Sequence, residues 1–105
     1  MSTWYVYIVR CSDNSLYTGV TKDIERRINE HNTDDRLGAR YTKARRPVHL
    51  VYTEEATNRS TATKRESKIK QFTKKQKENL IAPYDRSLDK NFRIMAVNAS
   101  QEIIQ

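Results

Sequence analysis

The fold is decided by Trp4-Tyr5-Val6-Tyr7-Ile8-Val9-Arg10, followed by Ser12-Asp13-Asn14-Ser15 and Leu16-Tyr17-Thr18-Gly19-Val20. From Trp4 to Val9 every side chain is aromatic or β-branched, the types that suit a pleated, packed strand surface. Ser12 to Ser15 is turn chemistry, because short side chains with acceptor oxygens bond back to the nearby backbone. The chain therefore predicts an N-terminal β-hairpin. Tyr5 and Tyr7 are two apart and face the same side of it.

From Thr21 the apolar period becomes helical. Ile24, Ile28 and His31 lie at i, i+4 and i+7, with Thr21 or Asp23 as N-cap. Residues 32–46 read as a polar, basic loop carrying Gly38. Pro47 opens a third strand, Val48 to Thr53, with Val48, Leu50 and Tyr52 expected on one face. Asn58 or Ser60 starts a second helix that runs to about Phe72. Thr73 with Gln76 is a capping box for a short third helix, whose end Pro83 fixes. The order ββαβαα predicts a small α/β domain, a sheet of about three strands flanked by helices, over residues 1–83. Residues 84–105 form a C-terminal extension: Asn91 to Val97 is expected as an added strand or docked segment, and the end as mobile.

Composition excludes several classes. The 105 residues suffice for one small domain. The two glycines, Gly19 and Gly38, rule out P-loop and dinucleotide fingerprints, which need clustered glycines for close approach to phosphate. No apolar run is long enough to span a membrane, and Trp4 to Val9 is too short for a signal peptide. Cys11, the single cysteine, can form neither an internal disulfide nor a structural zinc site, and reads as a packing residue. With a mean hydropathy of −0.91, a soluble, cytoplasmic protein is expected.

The net charge of +7 is concentrated in the middle of the chain. Residues 21–53 carry eight basic and five acidic groups, residues 54–79 eight and four, and the two ends balance. A basic middle suits a polyanion, or is simply a solvated surface. Within it, Arg27 and His31 share a helix face beside Ile24. Arg27 either snorkels or holds a phosphate, with His31 exchanging a proton nearby. Glu66 falls in the stripe of Ala62 and Ile69 among Lys64, Arg65, Lys68 and Lys70. It is either half of a solvated pair with Lys70 or a ligand for a hard cation. Tyr5, Tyr7 and Tyr17 serve as core, as a stacking surface, or as donors to a reacting group.

Taken in order, Tyr5-Val6-Tyr7, Tyr17-Thr18-Gly19, and Arg26-Arg27 with His31-Asn32 resemble the GIY-YIG nuclease superfamily. The similarity is greatest to its small stand-alone members, and Arg65-Glu66 with Ile69-Lys70 continues it. The resemblance implies that Tyr7 deprotonates or orients an attacking water and that Tyr17 contacts the scissile phosphate or its water. It further implies that Arg27 neutralises charge on that phosphate, that His31 assists one helical turn later, and that Glu66 ligates a single Mg²⁺ or Mn²⁺ ion. Asn79 corresponds loosely to a downstream asparagine of some members. Tyr5 and Thr18 stand where the two motifs carry glycine and isoleucine, as in the stand-alone branch. The bulk of Tyr5 implies a substrate fit unlike that of homing or restriction enzymes.

The expectation is a divalent-metal-dependent DNA endonuclease, acting in a setting such as DNA repair, with structure preference or low sequence specificity. Water attacks in line and leaves 3′-hydroxyl and 5′-phosphate ends. Tyr5, Arg26, Arg40, Lys43, Arg45, Arg46, Arg65, Lys70 and Lys74 are expected to hold DNA, with no membrane partner. The alternative is a nucleic-acid-binding module on the same fold with little or no cleavage. A third reading makes it an accessory domain whose partner docks on residues 92–97. A monomer or weak dimer is expected, cytoplasmic or nucleoid-associated (nuclear if eukaryotic or viral), with a protein partner to supply targeting.

Overall fold

In the computed structural model, which describes residues 3–84, the hairpin forms as its residue types dictate. β1 (Trp4–Arg10) and β2 (Leu16–Thr21) pair antiparallel, with Tyr7 opposite Gly19 and Val9 opposite Tyr17. Asn14 closes the turn at φ 71°, a left-handed conformation that asparagine tolerates. α1 (Ile24–Thr33) follows, capped by the Asp23 side chain, which accepts the Arg26 N–H at 3.1 Å. Next come α2 (Arg40–Lys43) and β3 (His49–Ala56), which joins the free side of β1. The sheet is thus β2-β1-β3, antiparallel throughout. α3 (Arg59–Lys70) is capped by Asn58, whose side-chain oxygen accepts the Thr61 N–H at 2.8 Å. α4 (residues 74–84) opens on the expected capping box, with Thr73 N–H to Gln76 Oε1 at 2.9 Å and Gln76 N–H to Thr73 Oγ1 at 3.1 Å.

Side chains of β1 alternate between two apolar layers. Val6 and Ile8, with Leu16 and Val51, pack on Ala62 and Ile69 of α3 and Ile81 of α4. Tyr7 and Val9, with Cys11 and Val48, pack under Ile24 and Ile28 of α1. Because helices cover both faces, Val6 to Val9 is a continuous buried run, the pattern of a strand with no solvent side. Arg10 adds a two-pronged ion pair to Glu78, with both contacts at 2.8 Å, which ties α4 to the end of β1.

Four expectations are corrected. Residues 32–46 are not all loop, because Arg40 to Lys43 form one helical turn; so short a turn leaves no periodicity, and it is anchored by the fully buried Thr42. Val48, Leu50 and Tyr52 do not share a face. Val9 pairs with Leu50 but Ile8 with Tyr52, so a bulge at Val51 sends Leu50 to the Tyr7 layer and Tyr52 to the Ile8 layer. The second helix ends at Lys70 rather than near Phe72, and the third strand runs on to Ala56. Pro83 does not end α4, whose helical backbone continues through residue 84. Proline suits helical φ and removes one N–H. Packing of Tyr84 on Tyr52 (ring centroids 5.5 Å apart) and the Thr53 Oγ1 bond to its hydroxyl at 3.3 Å hold that end down. The expectations for the extension, including 91–97 and the docking segment 92–97, fall on residues 85–105 and lie outside the described residues.

Candidate active site

The site is built around Tyr7, which is 1% exposed. Its ring lies across the bare backbone of Gly19 on the neighbouring strand. A Cβ at Gly19 would come within 2.5 Å of Tyr7 Oη and 2.6 Å of Cζ. Gly19 is therefore required for space, since its φ is not positive. The ring ends at α1, where Oη lies 2.7 Å from Nε2 of the fully buried His31. The other ring nitrogen, Nδ1, lies 2.8 Å from Thr42 Oγ1 on α2. Tyr17 meets His31 edge-on, with centroids 5.4 Å apart, and stacks on Tyr41 at 5.9 Å.

Arg27 sits one turn before His31 on α1. Its Nη1 donates to Glu30 Oε1 at 2.9 Å and to the Leu37 carbonyl at 2.6 Å, which fixes the guanidinium beside the Tyr7 hydroxyl. Glu66 arrives from α3 and is 18% exposed, in an ion pair with Lys70 at 3.3 Å. The Lys70 ammonium lies 6.0 Å from the centre of the Tyr17 ring, so this flank of α3 meets the edge strand at the site. The five expected residues, Tyr7, Tyr17, Arg27, His31 and Glu66, thus converge from β1, β2, α1 and α3.

Their electrostatics are complementary. Burial pushes the Tyr7 phenol up to about 12; Arg27 opposes this, while Tyr17 and Glu66 add to it. Burial, then the charge of Arg27, pushes His31 down to about 4, with Glu30 opposing. At neutral pH the pair is a protonated phenol against a neutral imidazole. Among the described residues no group of three or more His, Cys, Asp and Glu is placed to hold a metal ion. Glu66 alone offers a hard anionic oxygen. That donor set fits Mg²⁺ or Mn²⁺, which take one or two carboxylates and complete their shell with water and phosphate.

Most cations expected on DNA have protein partners. Arg46 donates to the carbonyls of His31 at 2.6 Å and Asp34 at 3.0 Å, and pairs with Asp35 at 2.8 Å, so it closes the C-terminal end of α1. Arg45 pairs with Asp13 at 3.1 Å and lies 3.9 Å over the Tyr41 ring. Arg65 pairs with Glu54 at 2.8 Å, Lys74 with Glu78 at 3.2 Å, and Arg26 with Glu30 at 3.8 Å. Lys43 donates to the Asp35 carbonyl at 2.9 Å. Arg40 is exposed and Tyr5 half-buried. Sequence reasoning missed Thr42 and the 38% exposed Tyr41, both inside the supposed loop. Their only signal was two non-charged side chains of some size in a basic stretch. Asn32 was quoted but given no task; it bonds both the Val48 carbonyl at 2.8 Å and its N–H at 2.7 Å, pinning α1 to the entry of β3. Thr18 pairs with Ile8 on the layer opposite Tyr7, and its buried hydroxyl has no partner among the described residues.

Comparison with known proteins agrees with this geometry. The model of the GIY-YIG catalytic domain matches residues 3–79. A UPF0213 protein of Desulfotalea psychrophila is 55% identical over 78 residues, covering 74% of this chain and 70% of its own length. A UPF0213 protein of Staphylococcus aureus is 53% identical over 81 residues, covering 77% and 96%. The solution NMR structure of a UPF0213 protein from Bacillus halodurans, 37% identical, covers 81% of this chain and 93% of its own with a TM-score of 0.51. That of a protein from E. faecalis, 42% identical, covers 80% and 88% with a TM-score of 0.55. The chain belongs to the GIY-YIG nuclease superfamily, in its UPF0213 group.

Proposed function

We propose that the protein is a divalent-metal-dependent endonuclease that hydrolyses phosphodiester bonds in DNA, with structure preference or low sequence specificity. The observation that carries this reading is the 2.7 Å contact between the Tyr7 phenol and the buried His31 imidazole, with Arg27 alongside and Glu66 within electrostatic reach. The pKa values of the pair lie several units apart, and each unit costs about 1.4 kcal/mol. A standing phenolate is therefore not populated at rest. Tyr7 acts as a base only as it exchanges protons: Oη accepts a proton from the attacking water while its own passes to His31 Nε2.

Arg27, already held by Glu30 and Leu37, presents its remaining N–H donors where negative charge gathers on the phosphate, without reorganisation during the step. Glu66 would hold the Mg²⁺ or Mn²⁺ ion, which when bound polarises a phosphoryl oxygen and stabilises the leaving oxygen. Lys70 must release Glu66 for this. Tyr17, packed against His31, limits movement of the imidazole and contacts the phosphate or its water. The basic middle of the chain supplies backbone contacts, which position DNA without reading its sequence.

A second reading, a DNA-binding module that does not cut, is favoured by the neutralisation of Glu66 by Lys70 and the 1% exposure of Tyr7. Wild type and Glu66→Ala, incubated with plasmid, fork, flap and single-stranded DNA in Mg²⁺, Mn²⁺ or EDTA, separate the two. Endonuclease action predicts cutting that EDTA and Glu66→Ala abolish while DNA binding persists. Salt-sensitive binding with no cutting supports the second reading. Undiminished cutting by Glu66→Ala would refute the metal assignment.

A further inference from the structure

We propose that Thr42 is a positioning residue of this site: by donating its hydroxyl proton to the Ala39 carbonyl, it fixes His31 as the Nδ1–H tautomer and leaves Nε2 to receive the Tyr7 proton. The consequence for catalysis rests on the endonuclease reading above; the tautomer does not.

Proton counting along the buried chain carries the inference. Thr42 Oγ1 lies 2.8 Å from His31 Nδ1 and 3.0 Å from the Ala39 carbonyl oxygen. A hydroxyl has one hydrogen, and a carbonyl oxygen can only accept. If Thr42 gave its hydrogen to His31, its oxygen would face the Ala39 oxygen with no hydrogen between them. Two acceptors would then meet in a place from which water is excluded, since Thr42 and His31 are both fully buried. If Thr42 donates to Ala39, every atom is satisfied: Nδ1–H donates to Thr42, Nε2 accepts, and the Tyr7 hydroxyl donates at 2.7 Å. The Ala39 oxygen also accepts the Lys43 N–H at 3.0 Å, which its two lone pairs allow. The contact from residue 42 to the carbonyl of residue 39 is local to one helical turn, so little chain entropy is spent in holding it. The neutral state of the ring agrees with its depressed pKa.

The direction of the relay follows. When water loses a proton to Tyr7 Oη, the proton already on Tyr7 moves to His31 Nε2, and the ring becomes an imidazolium. Its Nδ1–H bond to Thr42, continued into the Ala39 carbonyl dipole, stabilises that charge. After turnover the imidazolium returns the proton to bulk water. The opposite tautomer would present Nε2–H to Tyr7 and could take nothing from it. Second-shell partners of this kind orient a histidine through its other nitrogen.

The test reads the tautomer directly in the full chain. With ¹⁵N-labelled histidine and no DNA, long-range ¹H–¹⁵N spectra at neutral pH should show His31 with a protonated Nδ1 and a bare Nε2. His49, which is exposed, serves as the averaging control. Thr42→Ser should keep the His31 pattern and Thr42→Val should lose it. In DNA cleavage Thr42→Val should lower kcat about 10–100-fold, with Thr42→Ser near wild type and KM within about twofold. Wild type carrying Nε2–H overturns the proposal, as does Thr42→Val retaining Nδ1–H; the wild-type and serine spectra decide the matter even if the valine variant does not fold. The expected tautomer in a protein that cuts no DNA leaves the assignment standing and fells the endonuclease reading instead.

Discussion

Replacing Gly19 with alanine adds one methyl group at the place where the site has no room for it. The new Cβ would stand 2.5 Å from Oη, 2.6 Å from Cζ and 2.9 Å from Cε2 of Tyr7, whereas ordinary contact begins at 3.4 Å. The ring must retreat by roughly 0.9 Å, the difference between 3.4 Å and 2.5 Å. It is enclosed on all sides and held at 2.7 Å from His31, so the retreat strains the core and opens that hydrogen bond. Overpacking of this kind costs about 1–3 kcal/mol. Glycine to alanine recovers only about 0.4–1 kcal/mol through the unfolded chain, so the net effect is destabilisation of about 1–2 kcal/mol. A displacement of about 1 Å at a reacting group costs on the order of 10²-fold in rate. Urea unfolding reads the first quantity and single-turnover cleavage of plasmid the second. In a Tyr7→Leu background the offending atoms are gone, and Gly19→Ala should cost less than about 0.5 kcal/mol. A Gly19→Ala protein as stable and as active as wild type would refute the reasoning, as would an equal cost in the Tyr7→Leu background.

Two further outcomes follow from the same geometry. His31 titrates near 4 in the folded chain against an ordinary 6.5, so the unfolded chain binds more protons between those values and stability falls as pH drops through the window. Urea unfolding should lose about 2 kcal/mol between about pH 6.5 and pH 5, above the carboxylate range, and His31→Gln should flatten that slope. Arg27→Ala should lower single-turnover cleavage about 10²–10³-fold with the circular dichroism spectrum unchanged, because it removes a preorganised donor and not a core contact. Arg27→Lys should fall between the two, since it keeps the charge and loses the fork.

The parts of the fold legible in the sequence were those written in local chemistry. Trp4 to Val9 announced a strand by residue type, and Ile24, Ile28 and His31 announced a helix by period. Asn58, Thr73 and Gln76 announced helix starts by their capping atoms. What stayed hidden depends on contacts between distant segments. The bulge at Val51 is a property of pairing between β1 and β3, so no pattern within residues 48–53 could have moved Tyr52 to the other layer. The one-turn α2 exists because Thr42 is buried against His31, a contact eleven residues away in the chain. Pro83 signalled a stop that the packing of Tyr84 on Tyr52 overrode. At the site, the motifs named Tyr7, Tyr17, Arg27, His31 and Glu66, and the fold brings them together. The role of Gly19 as the floor beneath Tyr7 required the strand register. The partners of Arg45, Arg46 and Arg65 likewise required a fold that places Asp13, Asp35 and Glu54 beside them.

The central claim is that the Tyr7 hydroxyl moves the proton of the attacking water. Tyr7→Phe tests it with the smallest change, because the ring stays over Gly19 and only Oη is lost. Losing one buried hydrogen bond costs about 1 kcal/mol, which leaves the protein folded. Single-turnover DNA cleavage in Mg²⁺, measured beside DNA affinity at the same salt, should drop about 10²–10⁴-fold for Tyr7→Phe with affinity unchanged. Cleavage by Tyr7→Phe at the wild-type rate would contradict the account.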